Sequence, residues 1–319
     1  MEDNRSTLRI SYKNQQGFTL IELMISFVLG LLISAAIIQV FLTSQRVDRI
    51  QTAGSEIQDK AIFGLQSIEP QLRLANLGND GMAINDTTAM GGVILTVGNK
   101  DATNVNIAVK DGNQAQAGDY VTRSVTLTNT NIPSDQLTVQ YTNTTGRKLF
   151  DCEGKDIEPN AHVITRYFVT DGKGAGRNAR KNLDLNCEAG RIASDGTLTD
   201  FSGAGITIIE KIDQFNIRLG VQRTSVVDGN LTYQYADMTV KDYMALAGEK
   251  PNITNIRLAI LARSTANSPD ASAETFTIFG DLQTLKSQTN APKYLRRVYE
   301  SNILLRNARV MRVIDSGPQ

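Results

Sequence analysis

Three groups of residues have types and spacings suited to chemistry. Gly17 and Phe18 form a small-residue junction of the kind a signal-processing peptidase cuts, and Glu22 sets a carboxylate four residues beyond Phe18. Cleavage there would free an α-amine on Phe18, and the amine of a neighbouring copy is a cation that Glu22 could pair with. Cys152 and Cys187 are the two cysteines of the chain. On the exported side of a membrane such an isolated pair most often forms a disulfide, with two buried thiols as the alternative. A metal pair is disfavoured, because His162 is the single histidine and no Cys-x-x-Cys exists to build a tetrahedral site. The third group, Gly172-Lys173-Gly174-Ala175-Gly176-Arg177, resembles a phosphate cradle in its glycines alone. It lacks the Gly-Lys-Ser/Thr ending and reads as a solvated loop. With one histidine and no Gly-x-Ser-x-Gly elbow, the sequence offers no nucleophile with a base, so neither enzymatic activity nor a cofactor is expected.

The elements around these residues decide among the readings. A secretory signal has its cleavage site after the apolar core, whereas Gly17/Phe18 lies before it. The apolar segment, residues 18–42, would therefore survive processing. As a helix it would span about 37 Å, enough to cross a bilayer with some tilt. Arg5, Arg9 and Lys13 precede it, and positive charge so placed holds a terminus on the cytoplasmic side, with the remainder beyond the membrane. Glu22 is the sole ionisable residue in the segment. A charge at a membrane-helix centre costs about 2.5–3.5 kcal/mol on insertion scales, and less near an end. The bland reading is a carboxylate that reaches the headgroups; the sharper one is the pairing with a neighbour's amine.

Gly17-Phe18-Thr19-Leu20-Ile21-Glu22-Leu23-Met24 resembles the class III signal of type IV pilins and pseudopilins. Four later stretches are similar to the PilW type of minor pilin: Arg166-Tyr167-Phe168-Val169, Ile209-Glu210-Lys211-Ile212-Asp213-Gln214-Phe215, Ile256 to Ser264, and Arg296-Arg297-Val298-Tyr299 with Leu305-Arg306-Asn307. The resemblance implies cleavage by a prepilin peptidase, methylation of the Phe18 amine, and insertion in the inner membrane with the head in the periplasm. It further implies assembly with other minor pilins and the major pilin, near the filament tip, to prime a pilus that serves twitching motility, adhesion or DNA uptake. A tip adhesin is a further partner it allows. The implied fold is α+β and type IV pilin-like, a long amino-terminal helix packed on an antiparallel β-rich head. A J-type pseudopilin of type II secretion and a membrane-tethered binding protein are the alternatives.

The implied organisation is a leader at 1–17, a membrane and filament-core helix at 18–42, its amphipathic continuation at 43–78 and a globular domain at 79–319. Val47, Ile50, Ile57, Ala61, Ile68, Leu72 and Ala75 recur at helical spacing and predict one apolar stripe. Gly54 and Gly64 should weaken the helix, Pro70 should kink or restart it near Glu69, and Gly78-Asn79-Asp80-Gly81 should end it. Strands are predicted at 92–97, 120–128, 136–142, 163–169, 215–221, 231–235, 255–262 and 276–279, paired antiparallel. Lysine plus arginine equals aspartate plus glutamate at 33 each, so net charge points to no polyanion partner. Lys173, Arg177, Arg180, Lys181 and Arg191 bracket Cys187 without interleaved aromatics, so a solvated loop is favoured over nucleic-acid contact. Arg296, Arg297, Arg306, Arg309 and Arg312 alternate with apolar residues, as on the exposed face of a strand or short helix.

Overall fold

The computed structural model describes residues 17–79, 83–96, 99, 120–172, 180–194, 198–201, 205–227, 230–268, 273–289 and 292–308. Residues 1–16 of the expected leader, Asp80, Gly81, Val97, the expected loop from Lys173 to Arg177, and Arg309 and Arg312 lie outside these. The chain divides into two compact units, Met1–Gln51 and Thr52–Gln319.

Helix α1 runs from Leu20 to Arg73 without interruption. Within the first unit every residue of it is exposed, and its amino-terminal part is long and apolar enough to cross a membrane. Within the second unit the helix becomes one-sided. Ala53, Gly54, Ile57, Ala61, Gly64, Leu65, Ile68 and Leu72 are buried at three- and four-residue intervals. Val47 and Ile50, expected to begin this stripe, are exposed. Period identifies a face of a helix but not where along it a packing partner begins.

Pro70 does not restart the helix, which continues past it to Arg73. It sits in the last turn, and Gln66, whose carbonyl loses its donor, is itself exposed to water. Turns follow from Leu74 to Gly78, with Asn76 and Gly78 at positive φ of 67° and 75°. The open carbonyls of Arg73 and Ala75 accept from the Asn307 side-chain amide at 3.3 and 3.2 Å, so a residue near the far end of the chain closes the helix.

Among the described residues the head holds thirteen strands and one short helix. In order they are β1 (Arg123–Val125), β2 (Ser134–Thr142), β3 (Leu149–Phe150), β4 (Asp156–Ile157), β5 (His162–Asp171), β6 (Leu183–Ile192), β7 (Leu198–Thr199), β8 (Ile206–Val227) and β9 (Asn230–Met238). Then come α2 (Val240–Ala245), β10 (Asn252–Arg263), β11 (Thr275–Ile278), β12 (Asp281–Thr284) and β13 (Arg296–Leu304). Nine strands form one antiparallel sheet in the order β1-β2-β5-β6-β8-β10-β13, with β7 beside β6 and β9 beside β8. The hairpins β3-β4 and β11-β12 stand apart from it.

The main core holds Ile57, Ala61, Leu65, Ile68 and Leu72 of α1 with Leu137, Tyr167, Leu185, Phe215, Ile217, Leu258 and Ile303 of the sheet. A smaller cluster around Tyr120, Ile164 and Phe201, and another around Leu261, Ile278 and Leu285, complete the head. The central strands are thus covered on both faces, which is why β5 is buried from Val163 to Val169 rather than alternating. The expected strand at 92–97 contributes only a bridge between Val93 and Val139, and that at 120–128 shrinks to the three residues of β1. β6 was not foreseen, because Leu183-Asp184-Leu185-Asn186-Cys187-Glu188 carries no β-branched residue.

Gly64, expected only to weaken α1, has a packing role. A Cβ there would overlap the Ile209 side chain, so glycine is what allows β8 to approach the helix. Gly64→Ala should therefore cost about 1–3 kcal/mol of unfolding free energy, the range for overpacking. Adding Ile209→Ala should recover part of that loss, as measured by denaturant unfolding. A fully additive double variant would argue against the contact.

Candidate assembly site and the buried charges of the head

Thr19 precedes α1 and caps it. Its hydroxyl accepts the Glu22 amide at 3.3 Å and its carbonyl accepts the Leu23 amide at 3.2 Å. Thr19-Leu20-Ile21-Glu22 has the spacing of a capping box, a signal present in the sequence itself. Glu22 is acidic in the first turn, where the helix dipole favours negative charge. Its carbonyl accepts the Ser26 hydroxyl at 2.7 Å, while its carboxylate has no partner among the described residues. Phe18 is exposed, and a Cβ on Gly17 would meet nothing within 4 Å. The fold of the chain itself gives Gly17 no steric reason to be glycine.

Cys152 and Cys187 are joined in a disulfide, with Cα atoms 6.3 Å apart, inside the usual range. The bond ties the β3-β4 hairpin to β6. Two polar contacts reinforce it. Arg191 Nη2 reaches the buried Asp151 carboxylate at 2.7 Å, and Glu153 Oε1 accepts the Ala189 amide at 3.0 Å. Asp151 also accepts the Glu153 and Lys155 amides at 2.9 Å each, which closes the turn between β3 and β4.

The four family-like stretches lie on β5, β8, β10 and β13, and they bring together the deepest charges of the head. Arg166 on β5 donates to Glu188 on β6 at 2.6 Å, with side chains 5% and 2% exposed. Its guanidinium lies over the rings of Phe168 and Tyr120, at 3.9 and 4.6 Å from their centroids. Burial pulls the Arg166 pKa below its ordinary value, and Glu188 opposes that pull.

Asp213 is the second centre. The β8-β10 register steps from Leu261↔Gln214 to Ala262↔Ile212, so Asp213 is the extra residue of a β-bulge. Its carboxylate accepts from Arg296 Nε at 2.5 Å and from the Asn129 amide at 2.6 Å, with Arg263 Nε at 4.0 Å. The Tyr294 ring lies under both guanidiniums, 4.6 Å from Arg263 and 5.8 Å from Arg296. One buried carboxylate of β8 thus anchors the last residue of β10 and the first of β13.

Of the basic residues expected at the surface, Arg296 and Arg180 are drawn inward, while Lys181 remains at the surface. Arg296 is on no exposed face; its side chain is 4% exposed because Asp213 draws it inward. Arg180 pairs with Glu274 at 2.5 Å and donates to the Lys286 carbonyl at 2.6 Å, and Lys181 pairs with Asp171 at 3.0 Å. His162 faces Gln140 Oε1 at 3.2 Å within the sheet. Among the described residues no group of three or more His, Cys, Asp or Glu is arranged to hold a metal.

Residues 12–38 match the prokaryotic N-terminal methylation motif, and residues 166–307 match the type IV pilus-assembly protein W family. Among solved structures, the chain is similar to a type IV-like pilin from Thermus thermophilus at 14% identity, over 55% of this chain and 80% of that one, with a TM-score of 0.30. No curated protein sequence matches. An amino-terminal methylation motif that opens a long apolar helix, followed by an antiparallel head, is a type IV pilin-like architecture. Over residues 166–307 the head is similar to the PilW family, and the two matches together support a type IV pilus minor pilin of the PilW type.

Asp213→Ala leaves two buried arginines without their counter-charge and should lower the unfolding free energy by about 3–5 kcal/mol. Lys241→Ala, at an exposed site on α2, should stay within about 0.5 kcal/mol in the same denaturation series. Opening the disulfide by Cys152→Ser should cost roughly 3–4 kcal/mol for the loop it closes, whose ends are 35 residues apart.

Proposed function

We propose that this chain is a minor pilin that primes type IV pilus assembly at or near the filament tip, with adhesion, twitching motility or DNA uptake as the output. In this reading residues 1–17 are a leader removed by a prepilin peptidase, and the new Phe18 amine is methylated. Residues 18–42 anchor the protein in the inner membrane, residues 43–78 continue the helix, and residues 79–319 form a periplasmic head that becomes extracellular in the pilus. Other minor pilins and the major pilin are its partners, with a tip adhesin as a further candidate; nucleic acid has no support in the charge arrangement.

The observation that carries the proposal is the state of Glu22. Its carboxylate sits in the first turn of a helix fit to cross a membrane and takes no partner among the described residues. A charge left so in an apolar segment calls for a cation from elsewhere, and the methylated amine of a neighbouring subunit supplies one. Gly17 fits the same logic, since open space around it leaves recognition by a peptidase as the reason for glycine.

Mass spectrometry of the sheared-filament fraction tests this directly. The mature chain should begin at N-methylated Phe18; an unprocessed terminus confined to membranes would instead indicate a tethered binding protein. Gly17→Val should block processing while leaving the head folded. Glu22→Val should be cleaved normally yet enter filaments about tenfold less, as loss of roughly 1.4 kcal/mol of pairing would produce.

A further inference from the structure

A cleft of about 670 Å³ opens along the β8-β9 hairpin, bounded on its other side by Ala83, Asn85 and residues 247–252. The register pairs Gln222 with Tyr235 and Thr224 with Tyr233, which sets these four side chains on one face of the hairpin. Tyr233 lines the cleft, and Tyr235, two residues along β9 and just outside the lining, continues the same face, so their rings repeat at about 7 Å. They are 49% and 71% exposed, and their hydroxyls have no partner among the described residues. Of the other described tyrosines, Tyr120, Tyr141, Tyr167 and Tyr243 are buried and Tyr294 and Tyr299 half-buried.

The polar groups of the cleft divide in an informative way. Its cations are engaged: Lys250 pairs with Asp86 at 2.9 Å, and Arg223 donates to the Glu249 carbonyl at 3.3 Å. The side chains of Gln222, Thr224, Asn252 and Glu249 form no hydrogen bond among the described residues. With Arg223 and Lys250 against Glu249 and Asp86, the charges balance. An anion would gain Arg223, which is held only by the Glu249 carbonyl, but would meet the Glu249 carboxylate beside it, so the cleft offers it no net attraction. A purely apolar ligand would leave amides and a carboxylate unpaired, at a cost per group. A ligand with ring C–H faces for the tyrosines and hydroxyls for the amides and the carboxylate satisfies both halves of the lining.

We propose that this cleft binds a neutral oligosaccharide, stacked on Tyr233 and Tyr235 and hydrogen-bonded by Gln222, Asn252 and Glu249. The site belongs to the head alone and does not depend on entry into a filament. Its test uses the full chain in lauryldimethylamine oxide, a detergent with no sugar headgroup, titrated calorimetrically with the trimer of N-acetylglucosamine, with cellotriose and with anionic trigalacturonate. At least one neutral trisaccharide should bind saturably and more tightly than trigalacturonate. Tyr233→Ala and Tyr235→Ala should each weaken it about five- to tenfold, and Asn252→Ala, on a different strand, should weaken it independently. No saturable binding of either neutral sugar, preference for trigalacturonate, or binding unchanged in the tyrosine variants would overturn the proposal. Filament incorporation should be normal in all three variants, which separates failure here from failure of the assembly role.

Discussion

The approach of β8 to α1 at Gly64 is the constraint on which the head depends. β8 lies near the middle of the sheet and pairs with β6, β9 and β10. Where it meets the helix, the Ile209 side chain fills the space that any side chain at position 64 would take. That contact seats Ile57, Ala61, Ile68 and Leu72 on the sheet and leaves the central strands without a solvated face. Burial on both faces then forces the charges within those strands to find partners, since an unpaired buried charge is far more costly than a paired one.

The two charge centres answer that need differently. Arg166 and Glu188 face each other across adjacent strands in register, as Arg166↔Glu188 in the β5-β6 ladder, and aromatic rings cover the guanidinium. Asp213 has no such opposite number. The bulge re-aims it toward the ends of β10 and β13, where Arg263 and Arg296 converge over Tyr294. A pair of this kind adds little net stability over well-packed apolar residues, but it penalises any register in which the partners miss. In a sheet of long strands, where a one-residue slip would invert every side chain, that penalty has value.

Much of this was legible in the residues, and the failures have physical reasons. The methylation motif, the apolar helix, the cysteine pairing and the strands at 136–142, 163–169, 215–221 and 255–262 all rest on local signals: spacing, composition or β-branched runs. The burial of Arg296 rests on Asp213, 83 residues away in sequence, and no local pattern reports a partner at that distance. Alternation with Val298 and Leu304 instead made Arg296 look solvated. β6 is held by neighbours on both sides rather than by its own propensity, so its composition hid it. The cap on α1 is legible as Thr19-x-x-Glu22, with the Thr19 hydroxyl accepting the Glu22 amide.

Asn307 closes the carboxyl end of α1, and β13 is the last strand to join the sheet. The end of α1 is therefore finished only by residues more than two hundred positions further along the chain. Contacts spanning more than two hundred residues make for slow, late closure, because loop entropy is lost before such contacts repay it. Burial of the first element is thereby tied to the last strand: Ile303 and Leu305 share the core of Ile57, Ile68 and Leu72, so a change at either is felt along the helix.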